Sequence, residues 1–165
     1  MNRSALRVPS FEVACFGRNP ARADLAAIAG NDLFATVERA RVVQAAAVFR
    51  IAELPARTLL YERWQPASLA VLVLEGGIAL YRRGNDDRRI ALGSVPPGGF
   101  CGEEAFFPGA ARLHATDACC DRPATVAWAR ARDLADALEA GPEIALNIAR
   151  ALHDRLGVLV ERLSA

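Results

Sequence analysis

The residues best suited to chemistry in this 165-residue chain lie between Gly98 and Thr116. They run Gly98-Gly99-Phe100-Cys101-Gly102-Glu103-Glu104-Ala105-Phe106-Phe107-Pro108-Gly109, then Ala110-Ala111-Arg112-Leu113-His114-Ala115-Thr116. Gly102 can take backbone angles closed to other residues and lets the chain approach a ligand closely. The apolar turn that starts at Glu103 aims unpaired N–H groups outward, which suits an anion. Arg112, nine positions after Glu103, adds a planar and permanently charged fork that matches a phosphate. Glycine, carboxylate, short turn and arginine in this order describe a pocket for a small anion with a sugar attached. Taken singly, Glu103 would do no more than favour a helix N-terminus, and Arg112 would be a surface charge.

Other chemistries find less material. A metal enzyme on a β-roll needs several strand-borne histidines, and the chain holds only His114 and His153, the second in a helical pattern. A nucleophilic role for Cys101 needs a positioned base, which Arg112 cannot supply and for which His114 is the one candidate. The expectation is therefore no catalytic residue and no metal ligand. The four cysteines, Cys15, Cys101, Cys119 and Cys120, lack C-x-x-C spacing and are expected to be buried, reduced thiols of a cytoplasmic protein. All 20 basic residues are arginine, which removes every lysine-based site, and a net charge of +1 gives no general attraction to nucleic acid. The longest apolar run, Leu69 to Leu74, stops at Glu75-Gly76-Gly77, far short of the ~18–20 residues of a membrane span. No secretion signal is legible at the N-terminus.

The length suits one domain. Residues 1–20, with Pro9, Gly17 and Pro20, read as an arm, and residues 21–165 as the domain proper. A helical pattern starts at Ala21 with Leu25, Ile28 and Ala29 on one face. Asn31 or Asp32 then caps a second helix through Leu33, Val37, Ala40 and Val43 or Gln44. The segment Val42 to Ile51 fits helix and strand equally. From about 48 to 129 the period is short and broken by turns. Strands are predicted at Val48–Leu54, Thr58–Arg63, Ala70–Leu74, Ile78–Arg82, Arg89–Val95, Leu113–Ala118 and Ala124–Ala129. Helices return over 131–163: a short one from Ala131 to Glu139, a stop at Gly141-Pro142, and a long one to Leu163. Its seam carries Ala145, Ile148, Leu152, Leu156, Leu159 and Leu163. The fold class is mainly β with flanking helices: a jelly-roll-like β-roll with N-terminal helices and a long C-terminal helix.

Gly102-Glu103, the turn and Arg112 resemble the phosphate-binding cassette of cyclic nucleotide-binding domains, the sensory β-roll shared by catabolite-activator-like regulators, gated channels and kinase regulatory subunits. The resemblance extends over roughly residues 45–163. Leu54-Pro55-Ala56-Arg57-Thr58-Leu59-Leu60-Tyr61 is similar to the family's Pro-Ala-Gly turn and strand, with Arg57 where glycine is usual. The run from Leu69 to Tyr81 resembles its "leucine, any residue, glycine" strand pair, with Gly76 on the expected glycine.

This resemblance implies a ligand site built from Gly102, Glu103, Glu104, Phe106, Phe107, Arg112, Leu113 and His114. Glu103 would accept the ribose 2′-hydroxyl, amides around Phe106 and Phe107 would meet the phosphate, and Arg112 would pair with its charge. Asn147, Arg150, His153 and Arg155 on the last helix are the candidates for the base. The implied ligand is a cyclic nucleotide such as cyclic AMP or cyclic GMP. The implied partners are a second copy through the last helix and an unidentified protein, without direct DNA binding, since no helix-turn-helix pattern follows that helix. Three departures stand out: Leu113-His114 where a small hydroxyl residue is usual, Glu104 where an apolar one is, and Trp64-Gln65-Pro66 in place of Glu-Gly-Asp. They support an alternative expectation, a degenerate β-roll that binds no nucleotide and serves as a protein-interaction module.

Overall fold

The computed structural model describes residues 17–84, 88–106, 113–138 and 142–164. Among the described residues, three helical pieces come first: α1 (Arg22–Ala29), a 3-10 turn (Asp32–Phe34) and α2 (Arg39–Ala46). Eight strands follow among the described residues: β1 (Arg50–Leu54), β2 (Leu59–Tyr61), β3 (Leu69–Glu75), β4 (Ile78–Arg83), β5 (Arg89–Val95), β6 (Phe100–Cys101), β7 (Asp117–Cys120) and β8 (Ala124–Arg130). The chain closes with α3 (Ala131–Leu138) and α4 (Pro142–Leu163). One sheet runs β1-β8-β3-β6 and the other β2-β7-β4-β5, with all pairings antiparallel. This is the expected β-roll with a long C-terminal helix. No helix among the described residues is long and apolar enough to cross a membrane.

Two cores explain why the apolar run at Leu69 to Leu74 does not alternate with polar residues. Side chains on a strand point to opposite faces in turn. Leu69, Val71 and Val73 enter the roll beside Val126, Trp128, Ile78 and Leu80. Ala70 and Leu72 point the other way, with Ile51, Ala127 and Ala129, into a second core closed by Ile28, Leu33, Phe34, Leu134, Ile144 and Ile148 of the helical layer. A strand covered on both faces reads as a continuous apolar run.

The helical layer is tied to the turn ahead of the candidate cassette. Asn31 caps the 3-10 turn by accepting from the Leu33 amide at 3.1 Å, and its side-chain amide donates to the Gly99 carbonyl at 2.9 Å. The Asp32 amide donates to the Gly98 carbonyl at 2.9 Å. The predicted cap is therefore present, but the helix expected beyond it is split. The 3-10 turn ends at Phe34, and α2 begins only at Arg39. The ambiguous stretch Val42 to Ile51 divides between α2 and β1. Within the predicted arm, residues 1–16 and Cys15 among them lie outside the described residues, while Arg18 pairs with Ile51 along the edge of β1.

Candidate functional site

Gly102 ends β6 with φ of +80°, and a Cβ there would collide with the Leu69 carbonyl oxygen. Only glycine permits both the left-handed angle and that approach of two backbones. The chain then enters a 3-10 turn, Glu103–Phe106, closed by the Ala105 amide donating to the Gly102 carbonyl at 3.2 Å. Two adjacent carboxylates leave this turn and meet different fates.

Glu103 is 7% exposed and accepts from Arg155 Nη1 of α4 at 2.5 Å. The second guanidinium nitrogen, Nη2, donates to the Phe100 carbonyl. Burial pushes the Glu103 carboxyl above its ordinary value, Arg155 pulls it back down, and the neighbouring Glu104 charge adds to the rise.

Glu104 accepts from the Ala115 amide at 3.0 Å and from His114 Nδ1 at 3.3 Å. Burial alone would raise its pKa, but the hydrogen bonds from His114 and the Ala115 amide together hold it below the ordinary carboxylate value. His114 is 2% exposed and its ring stacks on Tyr61, with centroids 3.7 Å apart and planes 9° from parallel. The His114 amide donates to the Gln65 carbonyl, and the Trp64 amide donates to the His114 carbonyl, each at 3.0 Å. Trp64 itself carries φ of +70°, as does Arg57, the residue at the family's glycine position. The three departures are therefore one structural unit: the Trp64-Gln65-Pro66 turn holds the His114 backbone, and His114 supplies the partner for Glu104. Leu113 sits beside them, bridged to Pro66 and 38% exposed. This pairing uses the backbone of residues 113 and 114, so the strand expected at Leu113–Ala118 is corrected to β7, which begins only at Asp117.

Phe106 packs half-buried against the second core. Phe107 and Arg112 lie outside the described residues. Of the four candidates for the base, Asn147 is buried, donating to the Leu33 carbonyl at 3.0 Å and accepting from the Thr36 hydroxyl at 3.1 Å. It joins α4 to the helical layer. Arg150 and His153 are exposed, and neither they nor Asn147 line the cleft under α4. Arg155 does line it.

That cleft, of about 630 Å³, separates α4 from the β4 and β5 side of the roll. Leu80, Leu92 and Pro96 form one wall and Leu152, Leu156 and Leu159 the other, with Glu103 and Arg155 together within it. The α4 wall belongs to the apolar seam read in the sequence, whereas the wall of Leu80, Leu92 and Pro96 went unread. Leu80 and Leu92 sit in ordinary strand patterns, and nothing local fixes the rotation of α4 over the roll. The buried thiol of Cys101 is pushed up to about 12, chiefly by burial, which leaves it protonated and a poor nucleophile near neutral pH. Among the described residues, no group of three or more His, Cys, Asp or Glu side chains is gathered as a metal ion would need.

The profile described as the cyclic nucleotide-binding domain matches residues 51–140. Among solved structures, the c-di-GMP responsive global regulator CLP of Xanthomonas campestris superposes with a TM-score of 0.67 at 20% identity, over 77% of this chain and 63% of that one. The Thermus thermophilus catabolite activator protein gives 0.66 at 19%, over 81% and 62%. The N-terminal domain of a Streptomyces coelicolor A3(2) transcriptional regulator gives 0.61 at 25%, over 79% and 91%. The chain thus spans under two thirds of the first two proteins. No curated protein matches the sequence significantly.

Proposed function

The chain belongs to the cyclic nucleotide-binding domain family, and on that premise we propose that it is a sensor. It binds a cyclic nucleotide between the cassette and α4 and passes the change on through α4. The observation that carries this reading is the placing of Glu103: its carboxylate lines a cleft whose opposite wall is α4, so a ligand there touches roll and helix together. By the family's pattern Glu103 accepts the ribose 2′-hydroxyl, and Arg112 pairs with the phosphate. A ligand shifts the helix by no more than its difference in affinity for the two helix positions.

Isothermal titration with cyclic AMP, cyclic GMP and cyclic di-GMP tests the proposal; the third is included because a structural neighbour is described as responsive to it. One of the three is expected to give heat in the wild type, and Arg112→Ala should weaken binding by about 2–5 kcal/mol if the ion pair is desolvated. Silence with all three would favour the second reading, a β-roll that serves as a protein-interaction module. Two observations support that reading: Glu103 already has Arg155 as a partner, and Leu113 has no hydroxyl to offer a phosphate.

A further inference from the structure

Two of the departures from the family's pattern bring ionisable groups to the cassette, Glu104 and His114, and the fold makes them partners. Glu104 lines the cleft beside Glu103; one of its carboxylate oxygens meets His114 Nδ1 at 3.3 Å and the other accepts from the Ala115 amide at 3.0 Å. The imidazole is buried and lies flat on Tyr61, and its backbone bonds to residues 64 and 65, so turning away from Glu104 would break the stack. A carboxylate beside an anion site repels the anion according to its net charge, and histidine changes charge between about pH 5 and 8. Burial raises Tyr61 well above its ordinary value and pushes the Cys101 thiol, which bonds to it, up to about 12, so both stay neutral there. Arg155 stays cationic and holds Glu103, while Asp117 on β7 accepts from the Arg63 amide at 2.7 Å. His153, the chain's other histidine, is exposed on α4 and does not line the cleft.

We infer that Glu104 and His114 form a charge gate on the cleft: with a proton on His114 the pair is neutral and admits a ring phosphate, and without it the pair presents a negative charge that repels one. The site thus takes up a proton together with its anion. The pair stands on geometry; the identity of the anion rests on the sensor reading. Linkage fixes the sign. A proton that favours the anion is favoured by it in equal measure, so affinity rises as pH falls through the titration of His114 and is lowest above it. The small hydroxyl usual at this place offers its hydrogen bond at any pH, whereas Glu104 with His114 grants or withholds a charge. A ligand with no charge on that side is indifferent to the pair, so the gate selects among ligands as well as among conditions.

Titration of the full chain with cyclic AMP, cyclic GMP and cyclic di-GMP over about pH 5.5 to 8.5 tests the gate, because each phosphodiester keeps one negative charge throughout. Wild-type affinity is expected to fall on the order of tenfold from the acid to the alkaline end. His114→Gln cannot take a proton and should bind weakly and evenly across the range. Glu104→Gln removes the charge and keeps the shape, and should bind at the alkaline end as tightly as wild type does in acid, a gain that loss of a structural contact would not give. Wild-type binding that ignores pH overturns the gate and leaves the sensor standing. A pH dependence that survives in His114→Gln belongs to Glu103, whose carboxyl burial also raises, and overturns it too. If His114→Gln loses the fold, Glu104→Gln decides, with no gain at the alkaline end counting against the gate. The carbon-13 signal of the Glu104 carboxyl, followed against pH without nucleotide, examines the pair by itself. It should move in two steps, once as Glu104 takes a proton and once as His114 does, and a single step overturns the pair. Two steps with silence from all three nucleotides keep the proton site and remove the sensor reading with its gate.

Discussion

Glu103 and Glu104 are neighbours in the chain with opposite electrostatic fates. Glu104 has a folded pKa below its ordinary value of 4.5. Its ionised form therefore adds stability that is present above pH 4.5 and lost as pH falls through the folded value. Glu103, raised in the fold, has the reverse sign: what it adds is complete below 4.5 and is lost as pH rises through its folded value. Glu104→Gln is expected to cost about 1–3 kcal/mol at pH 7, because it weakens hydrogen bonds to a charged acceptor, and to cost nothing once both states are protonated in acid. Urea unfolding over a series of falling pH values measures the difference, and a cost that never declines with pH would refute the assignment. Gly102 and Glu103 stood out in the sequence because a glycine, a carboxylate, a short turn and an arginine follow one another in one order. The Glu104 to His114 pair was not, since ten residues separate its members and the turn that aligns them comes from residues 64–66.

At the level of the elements, the roll depends on backbones that touch where no side chain fits. Gly102→Ala would place a methyl group on the Leu69 carbonyl oxygen while holding φ at +80°. The combined strain and overpacking should cost about 2–4 kcal/mol, read as a lowered urea midpoint with unchanged slope. Most strands were visible from their turns. β6 was missed because two residues flanked by glycines carry no period; it exists by pairing Phe100 and Cys101 with Leu72 and Val71. The break between the 3-10 turn and α2 was missed for another reason. The apolar spacing of Leu33, Val37 and Ala40 continues across residues 35–38, whereas Glu38 takes an extended ψ of 134° that ends any helix.

For the whole molecule, the second core makes the helices and one sheet a single body and leaves the end of α4 outside it. Leu156, Val160 and Leu163 remain largely exposed, and an apolar stripe on a projecting helix suits a partner of the same kind. We expect an isologous dimer through this stretch, each helix meeting its own copy. Light scattering on eluting protein should give twice the chain mass of 17.7 kDa, and Leu156→Arg with Leu163→Arg should return it to one. A wild-type mass of one chain at tens of micromolar would remove the dimer.

The buried joint at Asn147, where α4 meets Leu33 and Thr36, fixes where any swing of the helix must be centred. From Ile148 to Leu163 the lever is roughly 22 Å long at about 1.5 Å per residue. A tilt of about ten degrees at that fulcrum would carry the far end some 4 Å, roughly the width of one methyl group. An arm of this length converts a small opening at the pocket into a displacement that another molecule's surface can register.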